Sequence, residues 1–334
     1  MKKYNIAVLG ATGAVGREMI KVLEEYQIPV ATLKPLASAR SAGSLIRFNG
    51  QDIAIEEATE DSFTGMDFVL GAVKNAQSKK FAPAIVKAGA VYIDNSSAFR
   101  MDPDVPLIVP EINGEDAFTN KGIIANPNCS TIITMMAVAA ISRISPIRSM
   151  IACTYQAVSG AGQDGLIELE DQMKALAEGK EIRTKVFPTQ IANNVIPFIG
   201  SLTDNDYTDE EMKMQNEGRR IMHLPELKVT CTCVRVPVMR SHSIAVTVYT
   251  EEPVSVEAAN TAIAQFEGVR LIDDYQGRIY PTPLDTSNQD LVWVGRVRKD
   301  LVQDNGLTLW CCGDQIRKGA ASNAVQILKK MIEQ

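Results

Sequence analysis

The sequence predicts an α/β protein with two domains. One is a Rossmann-type domain on a mostly parallel sheet, and the other is an α+β domain with a largely antiparallel or mixed sheet. Three observations support this. Residues 5–9 form an apolar run that leads directly into a glycine-rich turn and an amphipathic segment. Apolar strands then alternate with helical segments as far as residue 125. Beyond residue 150, apolar and polar residues alternate as in strands with one solvated face.

Length and composition limit the possible functions. The chain has 334 residues, which suits about two domains. Its formal net charge is −6 and it has no basic run, which argues against nucleic acid as a partner. Its apolar stretches are shorter than the roughly 18 residues of a membrane span, and the N-terminus enters a strand without room for a signal peptide. Six cysteines without an export signal predict reduced thiols in a cytoplasmic protein.

The cysteines and histidines form no recognisable metal motif. Cys231 and Cys233 share one face of a predicted strand, and Cys311 and Cys312 are adjacent. The chain has only two histidines that could complete a ligand set. We therefore expect no metal.

The glycine-rich turn is a candidate nucleotide site. Gly10, Gly13 and Gly16 follow the first strand, and a helix is predicted from Arg17 to Tyr26. Strand, glycine turn and helix in this order bring backbone amides and a helix N-terminus to a pyrophosphate. Because the spacing is G-x-x-G-x-x-G rather than G-x-G-x-x-G, a turn that binds nothing is the alternative.

The end of the second strand favours NADP over NAD. An NAD site places an acidic residue there to bind the ribose 2′-hydroxyl, whereas this chain has Arg40 and Ser41. A guanidinium and a hydroxyl suit a 2′-phosphate. The alternative is a solvated loop arginine. Arg100, which follows a later strand, can bind a carboxylate or phosphate, and an exposed structural ion pair is the competing interpretation.

Cys129 is the candidate nucleophile. The segment Asn126 to Thr131 joins a short strand to a long apolar helix, with Asn126 predicted as the N-cap and Pro127 as the first helical residue. Cys129 then falls in the first turn, where unpaired amides and the helix dipole favour a thiolate. The alternative is a small buried hydrophobic residue.

The second half of the chain carries further candidates for chemistry. His242, at the end of a predicted strand, is a candidate general acid or base because imidazole titrates near neutral pH. His223 lies at a helix end and is more simply a C-terminal cap. Thr208 is predicted to cap a helix in which Glu210 and Lys213 are neighbours. The simplest interpretation of Glu210 and Lys213 is a surface ion pair.

Several motifs in one order resemble the aspartate-semialdehyde dehydrogenase family along nearly the whole chain. The matching stretches are 10–16, 95–100, 109–113, 126–131, 154–160, 235–242 and 313–323. The resemblance implies an NADP-binding domain of residues 1–128 plus 314–334, and a catalytic and dimerisation domain of residues 129–313. It also implies a homodimer in amino-acid biosynthesis towards lysine, threonine, methionine and isoleucine.

The resemblance also implies site residues. Cys129 would form the acyl thioester, His242 would be the general acid or base, and Gln156 would orient the acyl group. Arg235 would bind the substrate α-carboxylate, and Glu210 (or its neighbour Glu211) would lie near the amino group. The implied phosphate-binding pair is Arg100 and Lys213. The implied NADP contacts are Gly10, Thr12, Gly13, Ala14, Val15, Gly16, Arg40, Ser41, Ser159, Gly160 and Gln315.

The implied reaction is the NADPH-dependent reduction of L-aspartyl 4-phosphate to L-aspartate 4-semialdehyde. The nearest alternative is N-acetylglutamyl-phosphate reductase, which shares the acyl-phosphate chemistry. A nucleotide-binding scaffold or sensor without activity is a second alternative, and the presence of both Cys129 and His242 argues against it.

Overall fold

A computed structural model describes residues 2–333. Its strands are numbered in chain order: β1 (Tyr4–Leu9), β2 (Val30–Ala37), β3 (Leu45–Phe48), β4 (Gln51–Ala54), β5 (Glu56–Glu57), β6 (Phe68–Gly71), β7 (Val91–Asp94), β8 (Ile123–Ala125), β9 (Ile147–Gln156), β10 (Lys228–Arg235), β11 (His242–Thr250), β12 (Val269–Leu271), β13 (Val292–Lys299) and β14 (Gly306–Gly313).

The α-helices are α1 (Ala14–Glu25), α2 (Asn75–Lys87), α3 (Pro110–Asn113), α4 (Cys129–Ser142), α5 (Gln163–Ala177), α6 (Asp209–Ile221), α7 (Val256–Ala264), α8 (Pro283–Thr286) and α9 (Ser322–Ile332). Short 3₁₀ turns lie at Ala39–Ser41, Glu60–Phe63, Gly114–Thr119 and Val158–Ala161, and a π-helical turn at Arg317–Ala321 precedes α9.

The chain divides into two compact units. The first comprises the chain up to Asn128 together with the segment from Ala320 onward, and the second runs from Cys129 to Gly319. The sequence-based boundary at residue 314 lies earlier in the chain than this return at Ala320.

The first unit is built on a six-stranded parallel sheet in the order β5-β2-β1-β6-β7-β8. Successive residues of a strand point to opposite faces, so both faces carry apolar residues here. One face packs on α1 and α9, and the other packs on α2. This is the Rossmann-type arrangement that the alternating pattern predicts.

The second unit is built on a six-stranded mixed sheet in the order β10-β9-β11-β14-β13-β12. Its three central pairings are antiparallel, and the outer pairs β10–β9 and β13–β12 are parallel. Helix α4 is buried from Ser130 to Ile141. A helix that is apolar on all sides belongs inside a core, and α4 packs against α6, α7 and the sheet.

Two local predictions were wrong. Helix α4 begins at Cys129 rather than at Pro127, so Asn126 is not its N-cap; the Asn126 side chain instead binds Asn95 and Asn323. The apolar run 107–109, which the sequence pattern also predicts as a strand, forms none, because Leu107 makes only an isolated bridge to Ala125. Within residues 2–333, no helix is long and apolar enough to cross a membrane.

Candidate active site

In the glycine turn of the first unit, two glycines lie so close to backbone atoms that a side chain would not fit. Gly10 has φ +90°, and a side chain there would overlap the carbonyl oxygen of Ala72. A side chain at Gly16 would overlap the carbonyl oxygen of Gly10. Gly13 is the N-cap residue of α1, and it has no side chain that could hydrogen-bond to the first-turn amides. The first-turn amides of α1, which include those of Ala14 and Val15, are thus arranged as a cradle that fits a pyrophosphate.

Arg40 and Ser41 lie in the turn Ala39–Ser41 that follows β2. Arg40 is exposed, and its guanidinium has no hydrogen bond or ion pair to another residue in the described range 2–333. The carbonyl of Ser41 accepts a hydrogen bond from the Ser44 hydroxyl at 2.6 Å. The guanidinium is therefore available to an anionic group of a nucleotide.

Arg100 is buried within the first unit, so the interpretation as an exposed ion pair was wrong. Its Nε donates to the carbonyl of Asn126 at 2.9 Å and its Nη2 donates to the carbonyl of Asn95 at 2.9 Å. The Asn126 amide in turn donates to Asn95 and accepts from Asn323 Nδ2 at 2.6 Å. This amide cluster (Asn95, Asn126 and Asn323) holds the segment that leads into Cys129.

Cys129 opens α4, which confirms its predicted place in the first helical turn. Its side chain is partly exposed. Gly319 packs directly on it: a Cβ added to Gly319 would lie 2.9 Å from the Cβ of Cys129. By contrast, burial raises the pKa of the Cys312 thiol to about 12 and raises that of Cys311 well above its usual range. Those two thiols are therefore poor nucleophiles.

His242 and Arg235 converge on Ala157 from the ends of two strands. The Ala157 N–H donates to Nδ1 of His242 at 3.0 Å, and the Ala157 carbonyl accepts from Nη1 of Arg235 at 2.6 Å. Gly160 makes room for both side chains, since a Cβ there would lie 2.8 Å from Nη1 of Arg235 and 3.4 Å from Cε1 of His242.

The charges of this cluster act on one another. Burial lowers the pKa of Arg235, while the negative charges of Cys129 and Glu210 oppose that shift. Burial, with the positive charge of Arg235, lowers the pKa of His242 well below its usual value. A fully buried imidazole beside a guanidinium is therefore neutral at pH 7.

The polar side chains of β9 and α6 meet beside Arg235, since Gln156 pairs in register with Arg235. Nε2 of Gln156 lies 3.3 Å from Oε1 of Glu210, whose other oxygen accepts from Lys213 at 2.9 Å. Burial alone would lower the pKa of Lys213, but its contacts with Glu210 and Asp209 outweigh this and raise it.

Glu210 and Glu211 have different surroundings. Glu211 completes the predicted capping box with Thr208 and also accepts from the Cys233 N–H at 3.0 Å. Its carboxylate is thus occupied by backbone amides, whereas Glu210 contacts Gln156. Of the two neighbours, Glu210 is the one that faces the cluster.

Gln315 connects two loops of the second unit. Its Nε2 donates to the hydroxyl of Ser159, and its Oε1 accepts from the N–H of Ser241 at 2.8 Å. Ser241 has φ +73° and directly precedes His242. Gln315 therefore supports the loop from which β11 and His242 begin.

The predicted site residues fall into two groups. Cys129, Gln156, Ser159, Gly160, Glu210, Lys213, Arg235, His242 and Gln315 belong to the second unit, and residues 10–16, Arg40, Ser41 and Arg100 belong to the first. Sequence reasoning missed the main-chain role of Ala157 and the contact between Gly319 and Cys129. No side-chain pattern marks an amide donor, although both residues lie in stretches that carried the family resemblance.

Comparisons with known proteins agree with this geometry. The family model described as "Semialdehyde dehydrogenase, NAD binding domain" matches residues 5–119, and "Semialdehyde dehydrogenase, dimerisation domain" matches residues 139–318. An aspartate-semialdehyde dehydrogenase of Synechocystis sp. is 48% identical over 98% of this chain and 97% of its own length. The chain belongs to the aspartate-semialdehyde dehydrogenase family.

Other family members match it as completely. The Aquifex aeolicus aspartate-semialdehyde dehydrogenase is 47% identical over 99% of this chain and 98% of its own. The crystal structure of aspartate semialdehyde dehydrogenase II from Vibrio cholerae, complexed with ASA, is 42% identical, with a TM-score of 0.97 over 100% of this chain and 99% of that one. This family member is therefore an oxidoreductase of aspartate-derived amino-acid biosynthesis with an NAD(P)-binding domain and a dimerisation domain.

Proposed function

We propose that this enzyme reduces L-aspartyl 4-phosphate to L-aspartate 4-semialdehyde with NADPH, through a thioester on Cys129. The supporting observation is the cluster in the second unit. There Arg235 and His242 contact Ala157, and a thiolate at Cys129 would raise the pKa of Arg235. This cluster contains a nucleophile, a neutral imidazole and a cation that can bind a carboxylate. Such a set suits a substrate that is an amino acid carrying an acyl phosphate.

Cys129 begins the reaction in this proposal. Its position at the N-terminus of α4 favours the thiolate. The thiolate attacks the acyl carbon, the carbon–oxygen bond to phosphate breaks, and phosphate leaves with the electron pair. His242 lies at the acyl oxygen through Nε2, and Gln156 orients the acyl group.

Charged side chains hold the two ends of the substrate. Arg235 binds the α-carboxylate, for which its planar guanidinium is better suited than a lysine ammonium. Glu210 binds the substrate amino group, which its distance of 3.3 Å from Gln156 supports. The family resemblance assigns phosphate binding to Arg100 and Lys213.

The nicotinamide cofactor supplies the hydride that reduces the thioester. The chain offers the cradle at residues 10–16 for its pyrophosphate, since Gly10 and Gly16 leave space that a Cβ would fill. The family resemblance assigns Ser159, Gly160 and Gln315 as further cofactor contacts. The exposed guanidinium of Arg40 binds a ribose 2′-phosphate, and this preference for NADP is part of the proposal.

We place the enzyme in the cytoplasm as a homodimer. All six cysteines are free thiols, and a catalytic thiolate needs a reducing compartment. The match of residues 139–318 to a dimerisation domain supports the homodimer. The relatives above are named for aspartate semialdehyde, so N-acetylglutamyl-phosphate reductase is the less favoured activity.

The decisive assay is phosphate-dependent reduction of NADP by aspartate semialdehyde. We expect Cys129→Ser to lower kcat by roughly 10³-fold or more, because the hydroxyl is a far weaker nucleophile than the thiolate. Mass spectrometry of enzyme quenched with acyl phosphate should find the acyl group on Cys129. Cys153→Ser, which changes the other partly exposed thiol, is the matched control and should retain activity. An acyl group on another residue would refute the proposal.

The cofactor preference has its own test. Arg40→Ala should raise KM for NADP by about tenfold to a hundredfold, because one charge-assisted hydrogen bond is lost. It should have little effect on KM for NAD. Arg47→Ala is the control, since Arg47 is an exposed arginine of the β3–β4 hairpin, 3.6 Å from Asp52. Equal effects of Arg40→Ala on both cofactors would contradict the assignment.

A further inference from the structure

The segment 185–196 lies between α5 and α6 and forms no helix or strand, apart from one bridge at Ile196. Its apolar side chains are nevertheless buried. They share a small core with α5 and the turn before it, which contains Val158, Leu169, Phe187, Ile191, Ala192 and Ile196. Because a buried segment without regular structure cannot bond its own main chain, other groups must supply those hydrogen bonds.

Two buried side chains of α5, Glu168 and Gln172, supply them. Oε2 of Glu168 accepts from the main-chain N–H groups of residues 185 and 186. Oε1 of Gln172 accepts from those of residues 191 and 192, at 2.9 Å and 3.1 Å. The exposed fractions of the two side chains are only 6% and 1%. One helix therefore fixes the main chain on both sides of Phe187.

Glu168 and Gln172 also bond each other. Nε2 of Gln172 donates to Oε1 of Glu168 at 3.0 Å and to the carbonyl of Arg183 at 3.2 Å. The two residues are four apart on α5, so their side chains are neighbours. The pair needs one carboxylate and one amide. Two amides would direct an NH₂ group against another donor, and two carboxylates would repel each other.

The segment 185–196 in turn holds Arg235 at two points. On the main chain, the N–H of Ile196 donates to the carbonyl of Arg235 at 2.9 Å, and the N–H of Arg235 donates to the carbonyl of Ile196 at 2.8 Å. On the side chain, the guanidinium carbon lies 6.0 Å from the centre of the Phe187 ring. A cation at this distance is attracted to the face of an aromatic ring.

The guanidinium of Arg235 keeps donors for a ligand. Nη1 donates to the carbonyl of Ala157 at 2.6 Å, and within residues 2–333 Nε and Nη2 have no hydrogen-bond partner. A carboxylate is bound best by two parallel N–H groups of one guanidinium. The orientation of this planar group therefore determines how well it binds a carboxylate, and the contacts with Phe187 and Ile196 restrict that orientation.

We propose that Glu168 and Gln172 are positioning residues, which hold the segment 185–196 so that Phe187 and Ile196 orient Arg235 for the substrate α-carboxylate. This inference rests on the proposed function, in which Arg235 binds that carboxylate. Glu168 and Gln172 act through Arg235 and are not catalytic residues. They therefore contribute to the selection of substrates that carry an α-carboxylate.

Exchanging the two side chains tests the pair. Glu168→Gln opposes two NH₂ groups, and Gln172→Glu brings two carboxylates together. In the double variant E168Q/Q172E, the amide at position 168 still accepts from residues 185 and 186 and donates to the carboxylate at position 172. Only the bond to the carbonyl of Arg183 is lost. We expect each single change to raise KM for aspartate semialdehyde by about tenfold, and the double variant to recover most of that loss.

A substrate without the α-carboxylate separates positioning from general damage to the fold. 3-Aminopropanal is aspartate semialdehyde with that carboxylate replaced by hydrogen. We expect Glu168→Gln to lower kcat/KM for aspartate semialdehyde by about tenfold and to leave kcat/KM for 3-aminopropanal unchanged. Where turnover of 3-aminopropanal is slow, its inhibition constant against aspartate semialdehyde gives the same comparison. Equal losses with both compounds, or no recovery in E168Q/Q172E, would overturn the inference.

Phe187→Leu tests the segment without changing the polar pair, and it serves if the variants of the pair fold poorly. Leucine keeps an apolar side chain in the core but has no ring face. We expect a loss of about twofold to tenfold in kcat/KM, again confined to aspartate semialdehyde. The matched control is Glu170→Gln, because Glu170 is an exposed carboxylate of the same helix. It should leave both compounds unaffected.

Arg235→Ala distinguishes a failure of this inference from a failure of the proposed function. If Arg235→Ala impairs only aspartate semialdehyde while Glu168→Gln and Phe187→Leu impair both compounds equally, the positioning role alone fails. If Arg235→Ala impairs both compounds equally, the binding of the α-carboxylate by Arg235 fails, and with it that part of the proposed function.

Discussion

The missing side chain at residue 160 allows Arg235 and His242 to lie side by side. A Cβ there would lie 2.8 Å from Nη1 of Arg235, closer than carbon and nitrogen pack, but 3.4 Å or more from the imidazole. In Gly160→Ala the guanidinium must therefore move and the imidazole need not. We expect KM for aspartate semialdehyde to rise about tenfold, equivalent to ~1.4 kcal/mol, with a smaller change in kcat.

A double-mutant cycle with Arg235→Lys provides the control for Gly160. If residue 160 acts through the guanidinium, the two changes are not additive, and Gly160→Ala adds little once Arg235 is replaced. KM for NADP is measured in the same series, because Gly160 is also a predicted cofactor contact. A rise confined to KM for NADP would contradict the spacing role.

Single residues were predictable where they carry distinctive chemistry. The cysteine at a strand–helix junction and the histidine at a strand end could be selected as candidates from their context. The hydrogen bond that Nδ1 of His242 accepts could not be predicted, because its donor is the main-chain amide of Ala157, which is distant in sequence. The choice between Glu210 and Glu211 likewise needed the structure, since the capping box engages one of two adjacent carboxylates.

Among the elements, α9 contributes the residue that holds the segment before Cys129. Asn323 Nδ2 donates to Oδ1 of Asn126 at 2.6 Å and to the carbonyl of Ile108 at 2.9 Å. Asn126 and Asn323 are both 0% exposed. Because these carbonyl groups are buried, water does not replace a lost partner without rearrangement.

Asn323→Ala should therefore destabilise the first unit. We expect a loss of about 2–4 kcal/mol in the free energy of unfolding, from two buried acceptors that each lose a partner, together with reduced activity. Urea unfolding at fixed protein concentration measures it. Gln326→Ala, on the same helix and bonded to the partly exposed Glu111 at 3.1 Å, is the control. Equal stability of the two variants would refute the anchoring role.

Elements with a strong hydrophobic period were predicted well. The strand predicted at residues 5–9 is found as β1 (Tyr4–Leu9), because the apolar run that predicts it is also the run that packs in the core. Helix starts were less accurate: α1 begins at Ala14 rather than Arg17, although its first turn contains Gly16, a poor helix former. Gly16 is nevertheless required there, because a Cβ at this position would overlap the carbonyl oxygen of Gly10.

At the scale of the whole molecule, the sequence predicted two sheets of different character but not their strand orders. A parallel sheet buried on both faces and a mixed sheet have different periods, so the change near residue 150 was visible. The order β10-β9-β11-β14-β13-β12 depends on contacts between distant strands. The sequence of a single strand does not indicate which other strand it pairs with.

The stability of the whole enzyme should depend on pH through His242. Its pKa in the folded protein lies well below the ordinary value near 6.5 that applies after unfolding. As the pH falls below about 6.5 the unfolded chain binds a proton at this residue and the folded protein does not, so stability decreases. The contribution is complete above pH 6.5 and declines by up to about 1.4 kcal/mol per pH unit until the folded pKa is reached.

His242→Gln removes this linkage, so the difference in unfolding free energy between wild type and variant should shift by about 1 kcal/mol between pH 7.5 and pH 5.5, in favour of the variant at the lower pH. Carboxylates that titrate in both proteins cancel in this difference. His223→Asn is the control, because His223 is exposed and has φ +53°, which asparagine tolerates. A wild-type to His242→Gln difference that does not change with pH would mean that the imidazole takes up its proton in the folded protein as readily as in the unfolded chain, and would contradict the lowered pKa.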